Sequence, residues 1–98
     1  MEITQRIYNG TRAQEVLDNP AFSDAFADIE KELLEKWKSS PARDEQGREK
    51  LWLMTFLLSK LKMNLESSIF NGKQAQLDLQ HQRSLVERVK DARSTFWD

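Results

Sequence analysis

The sequence predicts an all-α protein, an antiparallel helical hairpin with a long central helix plus a C-terminal amphipathic helix. Three observations predict it. Glycine and proline are scarce, three and two residues among 98, which leaves few of the turns a β fold needs. Apolar residues recur at three- and four-residue spacing over most of the chain, the helical period. Between Arg48 and Asn71 no residue breaks that period.

Residues 1–10 offer Ile3, Ile7 and Tyr8 as apolar anchors and end in Asn9-Gly10, a turn signal. They read as an arm that orders on a neighbour. Thr11 and Gln14 have the spacing of a capping box, in which the hydroxyl accepts the exposed amide of Gln14 and that side chain reaches back, so a short helix over residues 12–18 is expected. Asn19-Pro20 is a stronger start signal. Asn caps well, and Pro in the first turn loses no hydrogen bond the helix would have made. From there a helix over residues 20–38 places Phe22, Phe26, Ile29, Leu33 and Trp37 within an arc of about 80°. Its opposite face carries Asp24, Asp28, Glu32 and Glu35, and Ser39-Ser40-Pro41 stops it.

Asp44 is placed to cap the long helix, residues 45–71, although Gly47 stands where a capping box would put Glu or Gln. Asn71-Gly72 reads as that helix's C-terminal cap. A last helix over residues 74–97 places Leu85, Val89, Ala92 and Phe96 on one side and ends in the pair Phe96-Trp97. No internal repeat and no long linker divides the chain, which reads as a single helical domain.

The long helix carries two apolar stripes. With Leu51 at zero on a helical wheel, Leu51, Met54, Leu58, Leu61, Leu65 and Ile69 cluster near about 320°, and Trp52, Phe56, Met63 and Phe70 near about 115°. Leu53 and Leu57 blur the division at the N-terminal end. Each large side chain left in water forfeits roughly 1.5–3 kcal/mol, so such a helix has to be covered twice. Residues 20–38 supply the first cover. For the second there are two candidates: the C-terminal helix, in a monomeric three-helix bundle, or another subunit or protein. The C-terminal segment offers few large apolar residues against a stripe of four, which tilts the balance toward association. The expected interface comprises Trp52, Phe56, Met63 and Phe70 with Leu85, Val89, Phe96 and Trp97, and the expected partner is protein, a second copy of the chain or a larger assembly.

Composition restricts the chemistry. Fifteen basic residues nearly cancel sixteen acidic ones, so no overall field draws the chain onto nucleic acid or an anionic membrane. Arg83, Arg88, Lys90 and Arg93 are interleaved with Glu87 and Asp91, which reads as an ordinary charged surface rather than a groove-binding face. Without cysteine there is no disulfide or thiolate chemistry. The single histidine, His81, lies in a Gln-rich stretch with only Asp78 close by, and the acidic face of residues 24–35 lacks the partners of a carboxylate metal site. No phosphate loop, nucleophile elbow or HExxH motif occurs. The expectation is a non-enzymatic protein with no cofactor and no metal. The N-terminus shows no signal-peptide pattern and no apolar run approaches a membrane span, so the expected setting is a cytoplasm or a virion.

The order Asn19-Pro20-x-Phe22, Phe26, Trp37, Asp44, Arg48-Glu49, Leu51-Trp52 and Phe70-x-Gly72-Lys73 resembles that of small helical proteins encoded by tailed bacteriophages and prophages. The resemblance covers residues 12–73 and transfers no site. It implies a virion accessory or assembly protein, or a small phage factor that binds a host protein; the alternatives to the assembly role are an inhibitor or sequestering module directed at a host defence or regulatory factor and, second, a helical nucleic-acid-binding module.

Overall fold

The computed structural model describes the backbone of residues 2–97 and the side chains of residues 2–93. Three helices make up the chain: α1 (Ile3–Asp18), α2 (Pro20–Ser39) and α3 (Glu45–Trp97). At about 1.5 Å per residue, the 53 residues of α3 account for the longest dimension of the molecule, which measures 82 × 26 × 17 Å.

The start of α2 follows the sequence closely. Asn19 leaves the helical backbone, its side-chain oxygen accepts the Ala21 amide at 2.9 Å, and Pro20 opens the helix. The same residue closes α1, donating its amide to the Val16 carbonyl at 3.2 Å. Between α2 and α3, Ser40 donates its hydroxyl to the Trp37 carbonyl at 2.6 Å, and Asp44 caps α3 by accepting the Gly47 amide at 3.1 Å.

Both α1 and α2 lie against α3 and run opposite to it, one after the other. The Arg48 guanidinium stacks on the Trp37 ring at 4.0 Å and the Lys62 ammonium stands 5.8 Å from the Phe26 ring centre, which places α2 along residues 48–62. Further along, Arg6 donates to the Asn71 carbonyl at 3.2 Å and Gly10 meets Ser68 and Gly72. That is the bed of α1.

Two expectations are corrected here, for one physical reason. Residues 3–10 are not an arm but the first half of α1, and Thr11 does not cap a helix. It sits inside one, donating its hydroxyl to the Ile7 carbonyl at 3.1 Å. Asn71-Gly72 does not end the long helix either, and residues 74–97 form no separate helix folded back on it: α3 runs without a break through both. Gly10 and Gly72 are the two faces of one contact. A Cβ built on Gly10 would lie 2.9 Å from the Ser68 carbonyl oxygen and 3.0 Å from the Gly72 Cα; one built on Gly72 would lie 3.0 Å from the Arg6 carbonyl oxygen and from the Gly10 Cα. Neither glycine has a positive φ, so both serve close packing of two helices rather than a turn. Each costs up to about 1 kcal/mol relative to Ala within a helix, and packing of the two backbones offsets that.

The core is small: Ala13, Phe26, Leu33 and Ala75 are its buried apolar side chains among the described residues. Beyond Leu79 α3 projects alone, and residues 80–93 are exposed at every position.

Candidate functional site

The helix α3 holds a heptad seam: Leu51, Met54, Leu58, Leu61, Leu65, Ser68, Gly72, Ala75, Leu79, Gln82, Val86 and Val89 recur at alternating spacings of three and four residues. Where the seam is small, at Ser68, Gly72 and Ala75, α1 comes close and buries Gly72 and Ala75. Where it carries leucine and methionine, α2 covers only part of it: Leu51 and Leu58 are half-buried, while Met54 and Leu61 remain exposed.

The aromatic stripe lies on the far side of α3 from α1. Trp52, Phe56, Met63 and Phe70 expose 57%, 50%, 63% and 62% of their surfaces, so neither α1 nor α2 covers them. Trp52 and Phe56 stack on each other, ring centres 5.6 Å apart and planes 16° from parallel. Leu53 and Leu57 are exposed beside them, and Leu85 and Val89 are exposed on the projecting part of α3. The side chains of Phe96 and Trp97, also expected at the interface, lie outside the described residues.

Two features of this surface escaped the sequence reading. Leu77 is 58% exposed and extends the stripe by one heptad. The seven-residue steps Phe56, Met63, Phe70 already pointed to it. Trp37 and Leu34 are the second. Trp37, expected on the inward face of α2, stands at its edge and is more than one-third exposed, and Leu34 is half exposed. With Leu33, Trp52, Thr55 and Leu58 they line a groove of about 600 Å³ between α2 and α3, with Glu30 and Lys31 at its rim. The groove opens on the side of α3 that carries the Trp52–Phe56 stack. Its walls are mostly apolar, with Thr55 and Ser59 among them.

Among the described residues no group of His, Asp and Glu is disposed to hold a metal ion, and no helix is long and apolar enough to cross a membrane. Glu32 and Lys36 pair at 3.0 Å on the outer face of α2, both largely in solvent, the solvated acidic face the sequence suggests.

The exposed area of the whole chain is 8246 Å², against about 5,800 Å² for a compact monomer of its mass. The excess of about 2,400 Å² per chain, about 4,800 Å² for two, lies toward the upper part of the roughly 2,000–5,000 Å² in total that obligate dimers bury. No family model, curated protein or solved structure matches the chain.

Proposed function

We propose that this chain is a non-enzymatic protein-interaction protein that works by associating with further copies of itself, as an accessory or assembly factor of the tailed-phage type. One observation carries the reading: from Leu51 to Leu58, α3 is apolar at every position but Thr55, yet α2 covers it along a single line. A helix apolar all round belongs in an interior. Contiguous exposed apolar patches larger than a few hundred Å² are uncommon on monomers and mark interaction sites, and aromatic and methionine side chains are enriched at such contacts. The proposed mechanism is burial of preformed helix faces, with the charged residues at their rims selecting register. The resemblance to phage proteins supports a virion, or the host cytoplasm in which one is assembled, as its setting.

The test is the solution mass by light scattering at tens of micromolar chain, for the wild type and for Trp52→Ala with Phe56→Ala. An oligomeric wild type that loses subunits in the double variant supports the reading. A folded, monomeric wild type removes it. The Trp37–Trp52 groove would then favour a second reading, a module that sequesters a host factor by taking up one of its apolar helices.

A further inference from the structure

Taking self-association as given, we infer its geometry: two copies pair their α3 helices antiparallel about a two-fold axis at Phe70. In that arrangement the projecting end of each α3 covers the Trp52–Phe56 stack of the other copy.

The pattern of α3 carries this. Phe70 lies within one residue of the midpoint of Glu45–Trp97. An axis there sets residues whose numbers sum to about 140 against each other, and the centre of the exposed stripe is palindromic about it. Met63 and Leu77 lie seven residues to either side, so each meets the other across the axis. Phe56, fourteen residues before, faces Ser84, with Leu85 one position further round the helix; Trp52, eighteen before, faces Arg88, whose aliphatic stem can lie on the ring. All of these residues are exposed in the single chain. A two-fold contact requires such self-complementarity, because the same patch has to serve both sides.

Charge follows the same symmetry. Glu66 and Lys73 are one heptad apart on one flank of the stripe; in an antiparallel pair equivalent flanking positions face each other, so Glu66 of each copy meets Lys73 of the other. On the opposite flank Lys60 and Asp78 stand on one line of the helix and sum to 138, within two residues of the same axis. A parallel pairing would instead put the equivalent flanks on opposite edges of the seam, so that Glu66 and Lys73 of the two copies do not meet.

Coverage is complementary too. Residues 80–93 have no cover within the chain, and the aromatic face of residues 52–63 has none either. The antiparallel register lays one over the other, beside the groove that Leu34 and Trp37 border. Lying on the opposite side of α3, α1 is not in the way of the apolar stripe, although Lys73 also borders the groove between α1 and α3. The cover that the sequence suggested for the aromatic stripe, the segment around Leu85 and Val89, is thereby supplied by the second copy.

The native chain has no cysteine, which makes disulfide trapping a clean test. Equivalent residues at position 63 lie about 21 Å apart along the axis in the antiparallel pair, beyond the roughly 7 Å between Cα atoms that a disulfide spans. Met63→Cys alone, and Leu77→Cys alone, are expected to stay uncross-linked under mild oxidation. Phe70→Cys and the double variant Met63→Cys with Leu77→Cys are expected to give covalent dimers, and no higher species. Cross-linking by Met63→Cys alone, a ladder of species from the double variant, or no cross-link from it while the wild type is a dimer each overturns the antiparallel register and leaves self-association standing. A monomeric wild type overturns both.

Charge exchange tests the register without touching apolar residues. Lys73→Glu is expected to weaken the dimer roughly tenfold, since two symmetry-related pairs turn from attraction to repulsion, and Glu66→Lys added to it is expected to restore affinity. Dilution sedimentation reads both. No weakening, or no restoration, overturns the proposed pairing.

Discussion

Replacing Gly10 by Ala sets two known effects against each other. In a solvated helix the change stabilises by up to about 1 kcal/mol, because Ala loses less backbone freedom on folding. Here the new Cβ would sit 2.9 Å from the Ser68 carbonyl oxygen and 3.0 Å from the Gly72 Cα. Both are backbone atoms of α3, so no rotamer change relieves the contact and the helices have to separate by several tenths of an ångström. That shift loosens Ala13 and Ala75, buried on the two sides of the same crossing, and removes dispersion contacts along the whole of α1. Overpacking of this kind costs about 1–3 kcal/mol, so the expected net change is a loss of about 1 kcal/mol. In a domain this size that corresponds to a fall of roughly 4–8 °C in Tm. The assay is thermal unfolding by circular dichroism at one fixed chain concentration, because the proposed self-association would make Tm depend on concentration. A rise in Tm for Gly10→Ala would refute the reasoning, since it would mean that helix propensity outweighs the crossing and that α1 and α3 do not meet this closely.

Asn19→Ala removes the acceptor for the Ala21 amide and is expected to cost about 1 kcal/mol, read as a lower urea midpoint; an unchanged midpoint would mean that Pro20 alone positions the start of α2. Arg48→Ala removes the guanidinium stacked on Trp37 at 4.0 Å and its 3.4 Å bond to the Ser40 hydroxyl. The expected cost is about 0.5–1 kcal/mol, and tryptophan emission should shift to the red as Trp37 gains solvent. Emission that stays at the wild-type wavelength would show that the stack does not shield the ring.

Much of the all-α character was legible because it rests on local signals. Asn19-Pro20 starts a helix, Ser39-Ser40-Pro41 stops one and Asp44 caps one, each through bonds within a few residues. The two Asn-Gly dipeptides were misread because their role is not local. Asn9-Gly10 and Asn71-Gly72 look like punctuation when each is read alone, and only bringing residues 10 and 72 together shows that their missing side chains make room for each other. The uncovered stripe was legible in outline, since periodicity shows that Trp52, Phe56, Met63 and Phe70 share a face. What that face meets depends on residues 74–97 continuing α3 rather than folding back, which again turns on Gly72.

The size gradient along α3 ties the packing of α1 to the openness of the groove. From Leu65 to Leu79 the intervening heptad positions are Ser68, Gly72 and Ala75, and a backbone can approach as closely as theirs allow. From Leu51 to Leu61 the same seam is Leu, Met, Leu and Leu, whose bulk holds a neighbouring helix at the ordinary interaxial distance of 8–10 Å. Because Asn19-Pro20 joins α1 and α2 with no intervening loop, closeness at one end and bulk at the other leave α2 packed less extensively on α3 than α1 is. That leaves the groove bordered by Leu34, Trp37 and Trp52. Filling the small end of the seam should therefore be felt at the groove, more than 20 residues away in sequence. If Gly10→Ala lowers Tm and also changes the affinity of the proposed dimer at a temperature where the variant is folded, the crossing sets the posture of α2. If it lowers Tm alone, the break at Asn19-Pro20 isolates the two halves, and the groove takes its shape from the large residues of α3 by themselves.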